Sequence, residues 1–139
     1  MIANPSRSST GGPEIVVCNT CRHSAEARED AQGRRGGARL ADALRSARSA
    51  DARYAAVTVS EMACLFACSA FCTVHLRERG KMSYVMGHFS PDANAARALL
   101  DYAVHYAASD DGQVRYADWP EGVKGHFLTR SPPLESSAA

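Results

Sequence analysis

No stretch of this chain carries the roughly 18–20 consecutive apolar residues that a helix needs to cross a bilayer, so no membrane partner is expected. Charge of one sign is also lacking. The formal net charge is +1, too small an excess for a protein dedicated to neutralising phosphates, and a nucleic-acid partner is not expected either. Residues 1–13 are rich in Ser, Gly and Pro and have no apolar core of a secretory signal, which predicts a cytoplasmic protein. There is no Ser/His/Asp arrangement and no paired-carboxylate site. Gly33 to Gly37 is interrupted by Arg34 and Arg35 and lacks the order of a phosphate-cradling loop. None of these patterns points to a stand-alone enzyme.

What is present fits one soluble domain. The 139 residues include 45% hydrophobic and 22% charged residues, enough to bury a core without staples. Residues 1–13 and 131–139 read as disordered tails around a domain at 14–130. Glu14–Val17 has the apolar run of a short buried strand, delivering Cys18 at its end. Leu40, Leu44 and Ala47 share a face at helical spacing, which predicts a helix over 38–50. Tyr54–Ser60 reads as a second strand from its β-branched residues. Thr73–Arg77 and Met82–Met86 form a hairpin around Arg79-Gly80. Ser90-Pro91-Asp92 predicts a helix start with Ser90 as cap, carrying Ala96, Leu99, Leu100, Ala103 and Val104 inward. The segment around Trp119-Pro120 has no clear periodicity. The order β-α-β-β-β-α, with a crossover helix between the first two strands, implies an α/β domain with a parallel pair and an antiparallel extension. That is a thioredoxin-like layout with a mixed sheet of about four strands.

The five cysteines are confined to two segments, Cys18/Cys21 and Cys64/Cys68/Cys72. In a reducing compartment such groups more often bind metal or do chemistry than form disulfides. Both groups follow strands expected to be parallel neighbours, so both emerge at the carboxyl edge of the sheet, where ligands sit in such folds. Convergence of soft thiolates from two segments is what a metal centre requires. A [2Fe–2S] cluster and a tetrahedral zinc site both suit four thiolates, and spacing alone does not separate them. A thiol-disulfide pair at Cys18/Cys21 is the third reading. It leaves Cys64, Cys68 and Cys72 without a role.

The histidines add little. His23 stands close to Cys21 and is expected to be an exposed loop residue. His75 and His88 read as partly packed or surface residues of the hairpin, His105 as a helix residue and His126 as lacking a partner. Arg34, Arg35, Arg39, Arg45 and Arg48 cluster on and before the first helix. Their expected role is a solvated face, with a docking patch for an acidic partner as the alternative.

Several segments carry a resemblance: Val16-Val17-Cys18-Asn19-Thr20-Cys21-Arg22, Cys64-Leu65-Phe66-Ala67-Cys68, Cys72-Thr73-Val74, Lys81-Met82-Ser83-Tyr84-Val85-Met86-Gly87 and the Trp119-Pro120-Glu121 region. Over about Ile15 to Pro133 the chain resembles a bacterial family of predicted metal-binding proteins associated with cobalamin-biosynthesis genes and related to the thioredoxin-like [2Fe–2S] ferredoxins. The resemblance implies a ferredoxin-like electron carrier with Cys18, Cys21, Cys64 and Cys68 as iron ligands. It further implies a redox partner in cobalt or corrin reduction and assembly as a homodimer. Cys72 stands where those ferredoxins usually carry Gly and is the alternative fourth ligand. Phe66 also replaces a usual Gly, and Met82 a common Trp. With the same thiolates, a non-redox zinc or cobalt carrier or sensor is the second reading.

Overall fold

The structure is a computed structural model and describes residues 12–20, 27, 29, 31–65 and 70–133. The elements are β1 (Glu14–Cys18), α1 (Gly36–Ala50), a 3₁₀ turn (Ala52–Tyr54), β2 (Thr58–Met62), β3 (Val74–Arg77), β4 (Ser83–Met86), α2 (Ala93–Ala108), two further 3₁₀ turns (Tyr116–Asp118 and Glu121–Val123) and β5 (Phe127–Ser131). They form a mixed α/β fold around a five-stranded sheet in the order β2-β1-β3-β4-β5. β1 and β2 are parallel, with Glu14 opposite Thr58 and Cys18 opposite Met62. The β1/β3, β3/β4 and β4/β5 pairs are antiparallel.

β1 is buried along its whole length because strands flank it on both sides. Ile15 and Val17 join the core cluster with Leu40, Ala41 and Leu44 of α1 and Leu99, Leu100 and Ala103 of α2. The strand alternation sends Val16 and Cys18 to the other face. Glu14 is buried but satisfied. Its carboxylate accepts from Ser60 Oγ at 2.6 Å and from Arg77 Nε at 2.8 Å, as a buried charge requires.

Several boundaries differ from the sequence expectation, each for a tertiary reason. Helix α1 starts at Gly36 rather than Ala38. Glycine is a poor helix former, but a Cβ at Gly37 would sit 1.8 Å from the Cys18 carbonyl oxygen. Tyr54 is not in a strand. It ends a 3₁₀ turn capped by Asp51 and is buried, its hydroxyl donating to Asp101 Oδ1 at 2.6 Å. That bond ties the connection after α1 to α2, and β2 starts later and runs on to Met62. The cap of α2 is Asp92, which accepts from Ala95 N at 2.9 Å, and not Ser90. Ala96, Leu99, Leu100 and Ala103 are buried as expected, while Val104 is half-buried.

The fifth strand is the main departure from the expected four. β5 adds to β4, with the register slipping between Val85 and Met86. It carries one half-buried residue, Phe127, followed by four exposed ones, so it lacks the alternation that marks a strand. The segment before it is held by Trp119, whose Nε1 donates to Val114 O at 2.9 Å. Gly122 lies so close to α2 that a Cβ there would come within 2.5 Å of Ala98 Cβ.

Candidate metal centre

Cys18 is the last residue of β1 and only 2% exposed. Its backbone N donates to Thr73 O at 3.0 Å, and Asn19 N donates to Met62 O at 3.0 Å. The end of β1 is thus pinned on one side to the end of β2 and on the other to the residue before β3. The Cys18 sulfur lies 3.7 Å from the Ala63 carbonyl oxygen, to which it donates, and 3.7 Å from Thr20 Oγ1. The Thr20 hydroxyl donates to the same Ala63 carbonyl. Cys64 follows immediately and is half-buried. The parallel register therefore does what the sequence suggested for this pair: it brings the Cys18 and Cys64 segments to one edge. Cys21, Phe66, Cys68 and His23 lie outside the described residues.

Asn19 Nδ2 donates to Glu61 Oε1 at 3.0 Å. That bond, joined by a second from Arg45, holds the Glu61 carboxyl below the usual glutamate range. The contact links the residue after Cys18 to the end of β2 and to α1.

Cys72 reaches the same edge in a different manner. It is fully buried and belongs to the helix-side core cluster. Its φ is 48°, in the left-handed region that favours glycine, at the position where the resembled ferredoxins carry Gly. Burial pushes its thiol up to about 12, against the pull of the nearby Arg39 charge and with a further push from Cys18. Among the described residues, no three His, Cys, Asp or Glu side chains group so as to hold a metal ion.

His88 also touches this region, which sequence reasoning missed. It is exposed with φ 64°, and its N lies 2.7 Å from Ala70 O and 2.8 Å from Phe71 O. Its ring meets Phe71 edge-on at 5.1 Å. It thereby braces the residues leading into Cys72; nothing local in the sequence signals a contact between these segments. His75 is half-buried, and burial lowers its pKa. His105 is exposed. His126, expected to lack a partner, stacks on Phe89 at 4.4 Å and places Nδ1 2.8 Å from Gly87 O.

Four of the five clustered arginines are tied to neighbouring groups. Arg34 pairs with Asp42, Arg45 with Glu61, and Arg35 donates to Thr20 O at 2.8 Å. Arg48 donates to the Val57 and Ala55 carbonyls. Guanidinium groups committed in this way favour the reading of a solvated, self-paired face over an open docking patch. Among the described residues, no helix is long and apolar enough to cross a membrane.

Fold and site together define a mixed α/β protein with three described cysteines drawn to the carboxyl edge of a parallel strand pair. The chain belongs to the DUF1636 family, described as a protein of unknown function, whose model matches residues 15–133. No curated protein and no solved structure matches the chain.

Proposed function

We propose that the protein is a [2Fe–2S] ferredoxin-like electron carrier of thioredoxin-like fold. The observation that carries this reading is the meeting of the two cysteine segments. The Cys18 sulfur touches the carbonyl that directly precedes Cys64, across the ends of β1 and β2. The strand order β2-β1-β3-β4, with β5 as an edge addition, supports the thioredoxin-like assignment.

Cys18, Cys21, Cys64 and Cys68 would hold the cluster, which when bound supplies one-electron transfer. Their soft donor chemistry fits it. Cys72 packs into the helix-side core, whereas Cys18 points to the other face of the sheet, and Cys72 is the alternative fourth ligand. Glu61, Asn19 and Thr20 orient the backbone around Cys18, in the way outer contacts fix metal ligands. A partner in cobalt or corrin reduction and a homodimeric state follow from the resemblance and belong to the same proposal.

The visible spectrum of protein purified without oxygen tests this. A red-brown solution absorbing at about 400–600 nm and bleached by dithionite is expected. Colourless protein carrying one tightly bound zinc would replace the cluster with a zinc or cobalt carrier or sensor using the same thiolates. Colourless, metal-free protein with a titrating Cys18/Cys21 dithiol would make it an oxidoreductase. Within the cluster reading, Cys21→Ser should abolish the colour and Cys72→Ser should keep it; the reverse result would exchange the fourth ligand. Sedimentation of the full chain checks the dimer.

A further inference from the structure

At β4 and β5, two and three strands away from β1, the sheet carries a hollow that the cysteine chemistry does not use. Between β4, β5, α2 and residues 113–119 lies a hollow of about 360 Å³, within the size range of small-molecule sites. Four of its lining residues are aromatic. Trp119 and Phe127 lie 4.7 Å apart at a shallow 35° tilt, and Tyr84 and Tyr102 meet Phe127 at 5.3 and 5.4 Å.

Inside, the Trp119 donor is spent on Val114 O and the Gln113 amide on Asp111, which leaves Thr129 and the tyrosine hydroxyls as the other polar groups of the lining. Charge enters at the rim. Arg130 lines the hollow and is exposed, and its guanidinium has no ion-pair or hydrogen-bond partner among the described residues. This sets it apart from Arg45 and Arg48 of α1, which are paired. Its guanidinium acts on Tyr84 across the β4/β5 pair, where the two residues are register partners. Asp111, the acid whose charge Tyr84 also senses, is held by Ser109 and by Gln113. Aromatic walls with one uncommitted guanidinium suit a flat ring bearing a carboxylate or similar anion.

We propose that this hollow binds a planar aromatic anion of about two fused rings. The site is independent of any metal at the cysteine edge. Trp119 is the sole tryptophan of the chain, so its indole N–H signal in a nitrogen-15 correlation spectrum reports on the wall directly. Titrating the full-length protein with 2-naphthoate should move that signal saturably. The neutral 2-naphthamide should bind roughly ten-fold more weakly, and Arg130→Gln should weaken 2-naphthoate by a similar factor while leaving the amide unchanged, as loss of one charge-assisted contact implies. No saturable movement, or equal affinity for acid and amide on the unaltered protein, overturns the proposal. The acid–amide comparison stands even if the variant fails to fold.

Discussion

Around the end of β1 the close contacts are between backbones, whereas beside β5 they are between rings. The Gly37 backbone presses on the Cys18 carbonyl, Cys18 N reaches Thr73 O, and Asn19 N reaches Met62 O. Backbone contacts of this kind leave no slack, because a single added carbon has nowhere to go. In the other half, Tyr84, Tyr102, Trp119 and Phe127 meet edge-on or tilted at 4.7–6.3 Å. Rings in such arrangements can shift by fractions of an ångström and re-pack. Thiols that must converge need the first kind of construction. A hollow that accepts a ligand is better served by the second.

The sharpest test of this contrast is Gly37→Ala. In an open helix the change would gain about 1 kcal/mol. Here it should cost about 3 kcal/mol, since the new carbon meets backbone. Urea unfolding measures it, and a neutral result would mean that the β1–α1 contact is looser than described. Phe127→Leu, in the aromatic half, should cost only about 1.5 kcal/mol despite losing three ring contacts, because apolar volume is largely retained. A loss equal to that of Gly37→Ala would erase the distinction.

Smaller effects sharpen it further. At Cys72, with φ 48°, replacement by Gly should be about 1 kcal/mol more stable than replacement by Ala, because glycine adopts this conformation without strain. Equal stabilities would place the positive φ in doubt. Smallest is Glu61, whose depressed folded pKa implies stability that is present above its ordinary value of 4.5 and lost as pH falls through the folded value. Glu61→Gln should flatten that acid limb by less than about 1 kcal/mol, as befits a partly exposed pair. An unchanged pH profile would remove Glu61 from the support of Cys18.

The comparison also marks where sequence reading succeeded. Ile15 and Val17, the Gly80 hairpin and the Leu40/Leu44 stripe obey local periodicity, and their elements were legible. So was the convergence of Cys18 and Cys64, because topology alone carries two strand ends to one edge. The features that escaped depend on neighbours remote in sequence. Gly36-Gly37 looks like a loop until the Cys18 carbonyl is beside it. Nothing in the segment around Cys72 announces that it packs into the helix-side core. β5 exposes all but one side chain, so no alternation announces it. The arginines of α1 cluster in sequence, yet their carboxylate and carbonyl partners come from other turns and strands.

The sheet order carries a consequence for how the molecule comes into being. After the parallel pair, each new strand is laid on the same growing edge in the order in which the chain is made, first β3, then β4, then β5. By the time Arg77 has been synthesised, every described backbone partner of Cys18 and Asn19 is already in hand. The aromatic half is the last to be built, and it is laid against a platform whose thiol-bearing edge is already in place.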